Sequence, residues 1–503
     1  MKAKRARLWL WALAALLIVA VAALGRPAIH LVWTVVRDRS DRPPLAEGSA
    51  DDASAMNATP VAQIWDIPSS RETAERQLAA LVRRAEKEGI ALSIAGARHS
   101  MGGQTIARNG IVVNMLPFRA MELDEARNVL HVQAGALWSD ILPYLNARGR
   151  SVAVMQSNNS FTVGGSISVN CHGWQSGRPP IASTVESFRL LRADGTIVRC
   201  ARNENAELFS LALGGYGLFG VILEVDLEVV PNEEYRLERF VTDIDGFVPV
   251  FEQQVRQGSA TAMAYGRLSV APESFLAEAI LNVFHPVSSG KGRPSRTDFP
   301  EVAGLTRAIF RGQVGSAYGK SLRWNAEKRL AGAASGGAIS RNQLLGEPAN
   351  VFANRSAAST DILHEYFVPA EAFGAFVGRL RSIVTTHRGD LLNVTVRDVR
   401  RDDDSFLRYA DQDMLALVML FDQPRTAAGE AAMEAMTREM VDAVLAFGGR
   451  FYLPYRLHAT KEQLLAAYPQ IPAFFVSKRR YDPHQVFKNA FFAKYSALEP
   501  TAP

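Results

Sequence analysis

The stretch Ser93-Ile-Ala-Gly-Ala-Arg-His-Ser-Met-Gly-Gly103 decides how the rest of the chain is read. An apolar strand over Ile90–Ala95 runs into a glycine-bearing turn. Gly96, Gly102 and Gly103 permit backbone angles and close approaches that a side chain forbids. Successive N–H groups in such a turn form a nest for phosphate or pyrophosphate, and His99 sits inside it. A second glycine stretch is Phe161-Thr-Val-Gly-Gly-Ser-Ile-Ser-Val-Asn-Cys-His-Gly173, and a third is Leu213-Gly-Gly-Tyr-Gly-Leu-Phe-Gly-Val-Ile222. Together they read as three backbone loops closing on one dinucleotide.

A chain of 503 residues is long enough for two or three domains. Its 48% hydrophobic and 21% charged residues describe a globular protein. A net charge of +5 lacks the concentrated basic face of a nucleic-acid binder, so no nucleic-acid partner is expected. Cys171 and Cys200 have no CxxC spacing, which signals neither a metal site nor a disulfide framework.

The N-terminus speaks to location. Lys2, Lys4, Arg5 and Arg7 precede an uncharged run, Leu8 to Gly25, of about the minimum length for a membrane span. Trp9 and Trp11 suit an interface. A cleaved signal peptide is the rival, but no clean small-x-small site stands out. An uncleaved single-pass transmembrane anchor over residues 1–27 is expected. The positive-inside rule puts the body on the extracytoplasmic side, against which Arg26, Arg37, Arg39 and Arg42 on the far flank count.

Residues 28–58 read as a polar linker. Residues 59–232 form a first domain: a helix from Ser70 to about Lys87, short strands at Gly110–Asn114, Val129–Ala134, Val185–Leu191, Gly195–Cys200 and Val221–Val230, and helices over Leu137–Arg148 and Asn205–Leu213. The pattern is α+β, without the βαβ rhythm of a doubly wound sheet. Gly215, Gly217 and Gly220 approach a GxGxxG fingerprint, but a helix precedes them and a strand follows, the reverse of a Rossmann turn. Residues 233–450 form a second α+β domain, with strands at Tyr235–Val241, Met263–Leu268, Ala279–Val283, Ile362–Val368, Leu391–Arg397, Met414–Phe421 and Arg450–Tyr455. Helices are expected over Ala370–Thr386 and Thr426–Phe447. An insert near 286–360 carries Arg307, Arg311, Lys320, Arg323, Lys328 and Arg329 with few acids. It reads as a solvated face, or as a membrane-facing patch.

With these motifs in order, the chain resembles the vanillyl-alcohol-oxidase-type flavoproteins with a PCMH-type FAD-binding domain. Within them it is most similar to the sugar-lactone and alditol oxidases, the D-arabinono-1,4-lactone oxidase kind included. The turn Gly96-Ala-Arg-His-Ser100 resembles their flavin-attachment loop, whose histidine is bonded covalently to the flavin; His99 matches it. Val163, Gly164, Gly165, His172 and Gly173 match their second loop, and Gly214, Gly217, Gly220, Val221 and Ile222 their third. Leu363-His-Glu-Tyr-Phe-Val-Pro369 and Val396-Arg-Asp-Val-Arg-Arg-Asp-Asp403 resemble strands of their substrate domain. Tyr481-Asp-Pro-His-Gln-Val-Phe-Lys-Asn489 resembles the close in which the chain returns to the flavin domain, here as a segment 451–497. The likeness covers roughly residues 59–497. Glu207-Leu-Phe with the glycines that follow, and Leu464 to Pro469, also resemble decaprenylphosphoryl-ribose oxidases, which hold flavin without the histidine bond.

The resemblance implies a two-part FAD-binding domain, a substrate-binding cap, and oxidation of a C–OH group with hydride transfer to flavin N5. The substrate is a small alcohol, sugar, alditol or aldonolactone. Oxygen, a quinone or a protein takes the electrons on. It implies FAD contacts from Gly96, Ala97, Arg98, His99, Ser100, Thr162, Gly164, Gly165, Ser166, Asn170, His172, Gly173, Gly214, Gly217, Gly220, Val221, Ile222 and Asn489. The family lysine on the strand before the final helix is absent: Tyr455 stands in its place, and Tyr452 in that of the alditol-oxidase histidine. Arg397 and Arg456 are the candidate replacements. Glu365, an acid on an otherwise apolar strand, needs a partner; a salt bridge to Arg397 and a substrate-polarising role are weighed equally. His172 reads as a hydrogen-bonding residue beside the flavin, and Tyr366 and Tyr452 as aromatics of the core. Two rivals stand beside the oxidase: a flavin-holding protein without catalysis, and an oxidoreductase acting on a lipid-linked sugar in the membrane.

Overall fold

The computed structural model describes residues 25–257, 261–287, 303–331, 337–349 and 352–497. The apolar run that motivates the membrane anchor, apart from Gly25, lies outside these residues. No helix among the described residues is long and apolar enough to cross a membrane.

The first glycine loop hangs from a small parallel sheet. Its central strand Ile111–Asn114 is flanked by Gln63–Asp66 and Leu92–Ala95. The helix Arg71–Glu88 buries a stripe of Ala74, Leu78, Leu81, Val82 and Ala85 and stops at Gly89, which takes the left-handed angle (φ 67°) that ends helices cheaply. Ser70 sits at its N-terminus, but its side chain makes no capping bond.

A second, antiparallel sheet carries the other two loops. Its order is Ile197–Ala201, Val185–Leu191, Val221–Pro231, Val129–Gln133 and Met121–Asp124, with Arg150–Val152 against the far end of Val221–Pro231. The helix Ala206–Ala212 precedes the third glycine loop and the strand Val221–Pro231 follows it, so the order is indeed the reverse of a Rossmann turn.

The cap is built on a third sheet. Among the described residues it has eight antiparallel strands, ordered Ile339–Ser340, Glu234–Asp243, Glu278–Pro286, Met263–Leu268, Asp390–Val399, Met414–Pro424, Ser359–Val368 and Arg450–Phe451. One face packs against the helices Ile244–Phe251, Phe373–His387 and Ala427–Ala446 through Phe247, Phe373, Phe376, Met436 and Met440. Side chains alternate across a strand, so the residues between the core positions face the other way, toward the glycine loops. Pairing puts Glu365 opposite Val418, Val418 opposite Thr395, and Thr395 opposite Arg267. A single row across the free face therefore reads Glu365, Val418, Thr395, Arg267.

Four sequence expectations change. Both halves of the expected linker are built in: residues 28–37 belong to a helix over 25–37, Ser49–Ala50 pairs with Thr59–Pro60, and Ala50, Asp52 and Ser54 are buried. Among the described residues the insert holds three helices that its composition did not announce, Ala303–Arg311, Ala317–Ala331 and the short Arg341–Leu345. Four of its six named cations belong to neither a solvated face nor a free patch, because acids elsewhere in the fold meet them, while Arg329 is exposed. Arg307 pairs with Asp38, Arg311 with Asp361, Lys320 with Asp390 and Lys328 with Glu278. Finally, the strand expected over Arg450–Tyr455 ends at Phe451, and residues 452–456 continue as a turn.

The cap core also contains a buried histidine. Burial, and then the nearby His458, push His364 down to about 3. Its folded pKa lies below its unfolded value near 6.5, so as pH falls the unfolded chain takes up the proton first. Stability is then lost from about pH 6.5 downward, at about 1.4 kcal/mol per pH unit from this group. Thermal melts should show a falling midpoint between pH 6.5 and 5. The variant His364→Asn, less stable at neutral pH, should show a shallower fall over the same range.

Candidate active site

Where the three loops meet the cap sheet they enclose a cavity of about 1080 Å³. Its floor comes from the first loop. The strand Leu92–Ala95 delivers Gly96 against Thr162, and a Cβ at Gly96 would overlap the Thr162 hydroxyl. Arg98 takes a left-handed angle (φ 56°) that reverses the chain. Among the described residues, none of the amides of Gly96, Ala97, Arg98, His99 and Ser100 donates a hydrogen bond. Five consecutive unspent donors beside a cavity are what a pyrophosphate requires. The loop is braced from behind. Asp52 accepts from Gly103 N at 2.8 Å and from Asn57 Nδ2 at 2.6 Å, and Asn57 Nδ2 also holds the Met101 carbonyl.

His99 lines this cavity, stacked on Phe161 with ring centroids 4.2 Å apart. Burial lowers its pKa, against the pull of its bond to the Ser160 carbonyl. A carbonyl only accepts, so Nε2, 3.0 Å from Ser160 O, carries the proton, and the neutral ring has its lone pair on Nδ1.

The second loop becomes a short helix, Val163–Ser168, started by Thr162, whose hydroxyl accepts from Gly165 N at 3.2 Å. Thr162, Gly164, Gly165 and Ser166 line the cavity, as do Gly217, Gly220 and Ile222 of the third loop. A Cβ at Gly220 would overlap the Leu191 carbonyl, and its φ of 139° suits glycine alone. The remaining expected cofactor contacts stand behind this lining. Asn170 donates to Asp402 and Ser405. Gly173 lies against the Met155 carbonyl, and Gly214 beside Asn170. Val221 is buried in its strand. Asn489 Nδ2 holds the Tyr216 carbonyl at 2.8 Å. Asn489 arrives there because the closing segment pairs with the first loop's strand: Leu92 N donates to Val486 O, and Lys488 N to Leu92 O. These residues position the loops, and their sequence signal was glycine or asparagine in a loop motif, which does not distinguish lining from backing.

At the opposite wall stands Glu365, 3% exposed. One carboxylate oxygen faces His172 Nε2 in a short hydrogen bond, and the other accepts from the Tyr455 hydroxyl at 2.9 Å. Burial pushes this carboxyl up. His172 first, then Arg397 and Tyr455, pull it down further, and it ends below the usual carboxylate range. Burial lowers His172, Glu365 opposing and Arg397 reinforcing. The pair is joined by the His172 Nε2–H, with the Glu365 carboxylate as acceptor. The Nδ1 of that imidazole is buried without a partner among the described residues, as is Arg397 Nε.

The expected Glu365–Arg397 salt bridge does not form. Arg397 Nη1 donates to the His172 carbonyl at 3.2 Å and Nη2 to Ser157 Oγ at 3.0 Å. It remains at the cavity wall and acts on Glu365 through space. Tyr452 lines the cavity, but its hydroxyl donates to the Val169 carbonyl at 2.7 Å. Arg456 is outside the cavity, paired with Glu430 and donating to Asn57 Oδ1 at 2.7 Å. It steadies the first loop instead of replacing the missing lysine. Sequence reasoning underweighted His172, whose link to Glu365 joins two domains and leaves no local pattern. Arg267 and Glu327, neither of them a sequence candidate, meet Arg323 of the basic insert further along the wall: Arg323 Nε lies 2.8 Å and Arg267 Nη2 3.3 Å from Glu327 Oε1.

Orphan amides in the first loop, glycines that no larger residue could replace, and unpaired polar atoms near Glu365 fit a flavin dinucleotide. Residues 71–201 match the family described as "FAD binding domain", and the chain carries such a domain, whose cofactor is FAD. The relatives it is similar to include sugar-lactone oxidases and dehydrogenases. It is 30% identical over 158 residues to L-gulonolactone oxidase of Mus musculus, covering 31% of this chain and 35% of that protein. It is 28% identical over 182 residues to cytokinin dehydrogenase 2 of Arabidopsis thaliana, 36% of each chain. It is 28% identical over 167 residues to the mitochondrial L-galactono-1,4-lactone dehydrogenase of the same plant, 33% of this chain and 27% of that protein. The chain thus spans about a third of the length of the curated relatives it matches.

Proposed function

We propose that this protein is a membrane-anchored FAD-dependent oxidoreductase that oxidises a C–OH group of an alcohol, sugar, alditol or aldonolactone. The observation that carries the reading is Glu365: an ionised carboxylate on the cavity wall, held by His172 and Tyr455, across from loops that fit the cofactor. Bound there, the isoalloxazine supplies a two-electron acceptor for a hydride. Glu365 takes the hydroxyl proton as the carbinol carbon becomes a carbonyl. His172 fixes the carboxylate by its Nε2–H, and Tyr455 orients the second oxygen. Arg397 supplies positive charge where the family uses a lysine. The apolar wall of Leu363, Val418 and Leu420 keeps water from the reacting end. The test is turnover with an artificial electron acceptor and a panel of aldonolactones, alditols and simple sugars. Activity with one class supports the reading. A flavin that dithionite reduces, but that no member of the panel reduces, identifies a flavin holder without catalysis.

The link to His99 is covalent in this reading. The neutral ring, with its lone pair on Nδ1, is the nucleophilic form from which such a bond would be made. Acid-precipitated protein should retain a fluorescent band on a denaturing gel, and His99→Ala should lose it. A wild-type band without fluorescence contradicts the bond.

The run Leu8 to Gly25 anchors the chain, with the globular part on the extracytoplasmic side. Deleting residues 1–24 should move the protein from the membrane to the soluble fraction with its flavin retained. The deletion stops there because Arg42 Nε donates to the Ser356 carbonyl at 3.2 Å and Asp52 braces the first loop.

A further inference from the structure

Residues 25–37 form a helix whose sidedness is inverted. A surface helix normally turns its apolar stripe inward and its polar face to water. Here His30 and Thr34 are on the inward side. The His30 ring lies 2.9 Å from the Gly312 carbonyl and edge-on to Tyr318, with centroids 5.2 Å apart. The Arg26 guanidinium stacks over the same tyrosine at 4.1 Å. The outward side is apolar: Ile29 is 66% exposed, Val32 64%, Trp33 54%, Val35 63% and Val36 57%. Five large apolar side chains left in water on one 13-residue helix form a patch that needs a partner.

This helix rests on the hairpin of helices Ala303–Arg311 and Ala317–Ala331. The contact is close: a Cβ at Gly319 would overlap the Gly312 carbonyl, and the His30 ring lies next to it. The chain then runs along the first helix of the hairpin to Asp38, which accepts from Arg307 Nη2 at 2.8 Å. Next to Arg307 is Thr306, and Thr306, Ala326 and Leu330 are both exposed and part of the cavity wall. At these three residues the cavity wall reaches the protein surface beside the hairpin, and we take this to be a mouth. From it the wall continues through Ile309, Phe310 and Phe352 to Arg267, and along the sheet row to Glu365.

We propose that the outward face of helix 25–37 lies in the surface of a lipid bilayer and that the hairpin mouth of the cavity thereby faces the membrane. The bilayer is favoured over other occupants because the helix continues directly from the uncharged run Leu8 to Gly25, which the anchor reading puts in lipid; the inference rests on that reading. The side chains suit it too. Trp33 with the Arg37 guanidinium stacked 3.9 Å above it is an interfacial pair, apolar below and cationic above. The basic insert offers little for this contact, since five of its six cations named above are engaged by acids: Arg307 by Asp38, Arg311 by Asp361, Lys320 by Asp390, Arg323 by Glu327 and Lys328 by Glu278. Compounds dissolved in lipid then have a direct path to Glu365.

The experiment uses the full-length, flavin-loaded protein in phosphatidylcholine–phosphatidylglycerol vesicles. Single cysteines are placed at Val32, Ala326 and, as a distant control, Glu72, and labelled with an environment-sensitive fluorophore; native Cys171 and Cys200 are buried. Flotation with the vesicles reports the anchor, and the flavin spectrum reports the functional reading. A shallow doxyl-labelled phospholipid reports docking. Quenching at Val32→Cys and Ala326→Cys with none at Glu72→Cys is the expected result. Solvent-like emission at Val32→Cys in floating, flavin-bearing protein overturns the proposal. So does blue-shifted emission that lipid does not quench, the mark of burial against a second copy. Quenching at Val32→Cys without quenching at Ala326→Cys overturns the placement of the mouth.

Discussion

Exchanging Glu365 for glutamine should slow anaerobic flavin reduction by substrate on the order of a hundredfold, about 2.7 kcal/mol in activation free energy, with flavin content unchanged. Glutamine keeps the size of the side chain and can still bond to His172 Nε2 and the Tyr455 hydroxyl. What it loses is the negative charge that accepts the substrate proton. The carboxylate sits below its usual pKa range, so wild-type reduction should be insensitive to pH across the neutral range and fall only in acid. A purely structural carboxylate predicts the opposite division. Removing it would leave an uncompensated buried group and destabilise the fold, while the molecules that remain folded would be reduced at the wild-type rate. Stopped-flow reduction and thermal melts of the same preparation separate the two.

The second large effect concerns the loops. Gly96→Val should yield a folded protein that has lost most of its flavin. Its first added carbon would overlap the Thr162 hydroxyl, which caps the short helix of the second loop. The residue must therefore push apart the two segments whose separation sets the cofactor site. Little else suffers, because Gly96 lies at the end of its strand and the parallel ladder is complete at Ala95. Absorbance of the purified variant, compared with its melting temperature, checks both halves. Wild-type flavin content in Gly96→Val would show that the loops do not close on the cofactor.

Much of this was legible in the sequence because the informative features are local. Clustered glycines identified the three loops, the first of them after a short apolar strand. Period-two patterning located the cap strands, and the lone acid in an apolar strand drew attention to Glu365. The rest was hidden because it depends on which segments meet. Nothing near residue 172 announces a carboxylate, since the partner of His172 is 193 residues away in another domain. Likewise, Arg456 sits next to Tyr455, yet one reaches Glu430 and the other Glu365 at the cavity, and both follow a turn after Phe451 that the residue pattern did not mark. The cations of the insert read as a solvated face because their acids come from distant strands and from Asp38. Asp52 was lost in a stretch whose composition is that of a linker, although it is 8% exposed and braces the first loop.

The central claim is that one cavity brings the flavin ring to Glu365. An experimental structure of the FAD-loaded protein tests it most directly. The expected result is the pyrophosphate on the amides of Gly96–Ser100, and the isoalloxazine at the wall formed by Glu365, Tyr455 and Arg397. An isoalloxazine with no contact to that wall, whatever the position of its pyrophosphate, would contradict it.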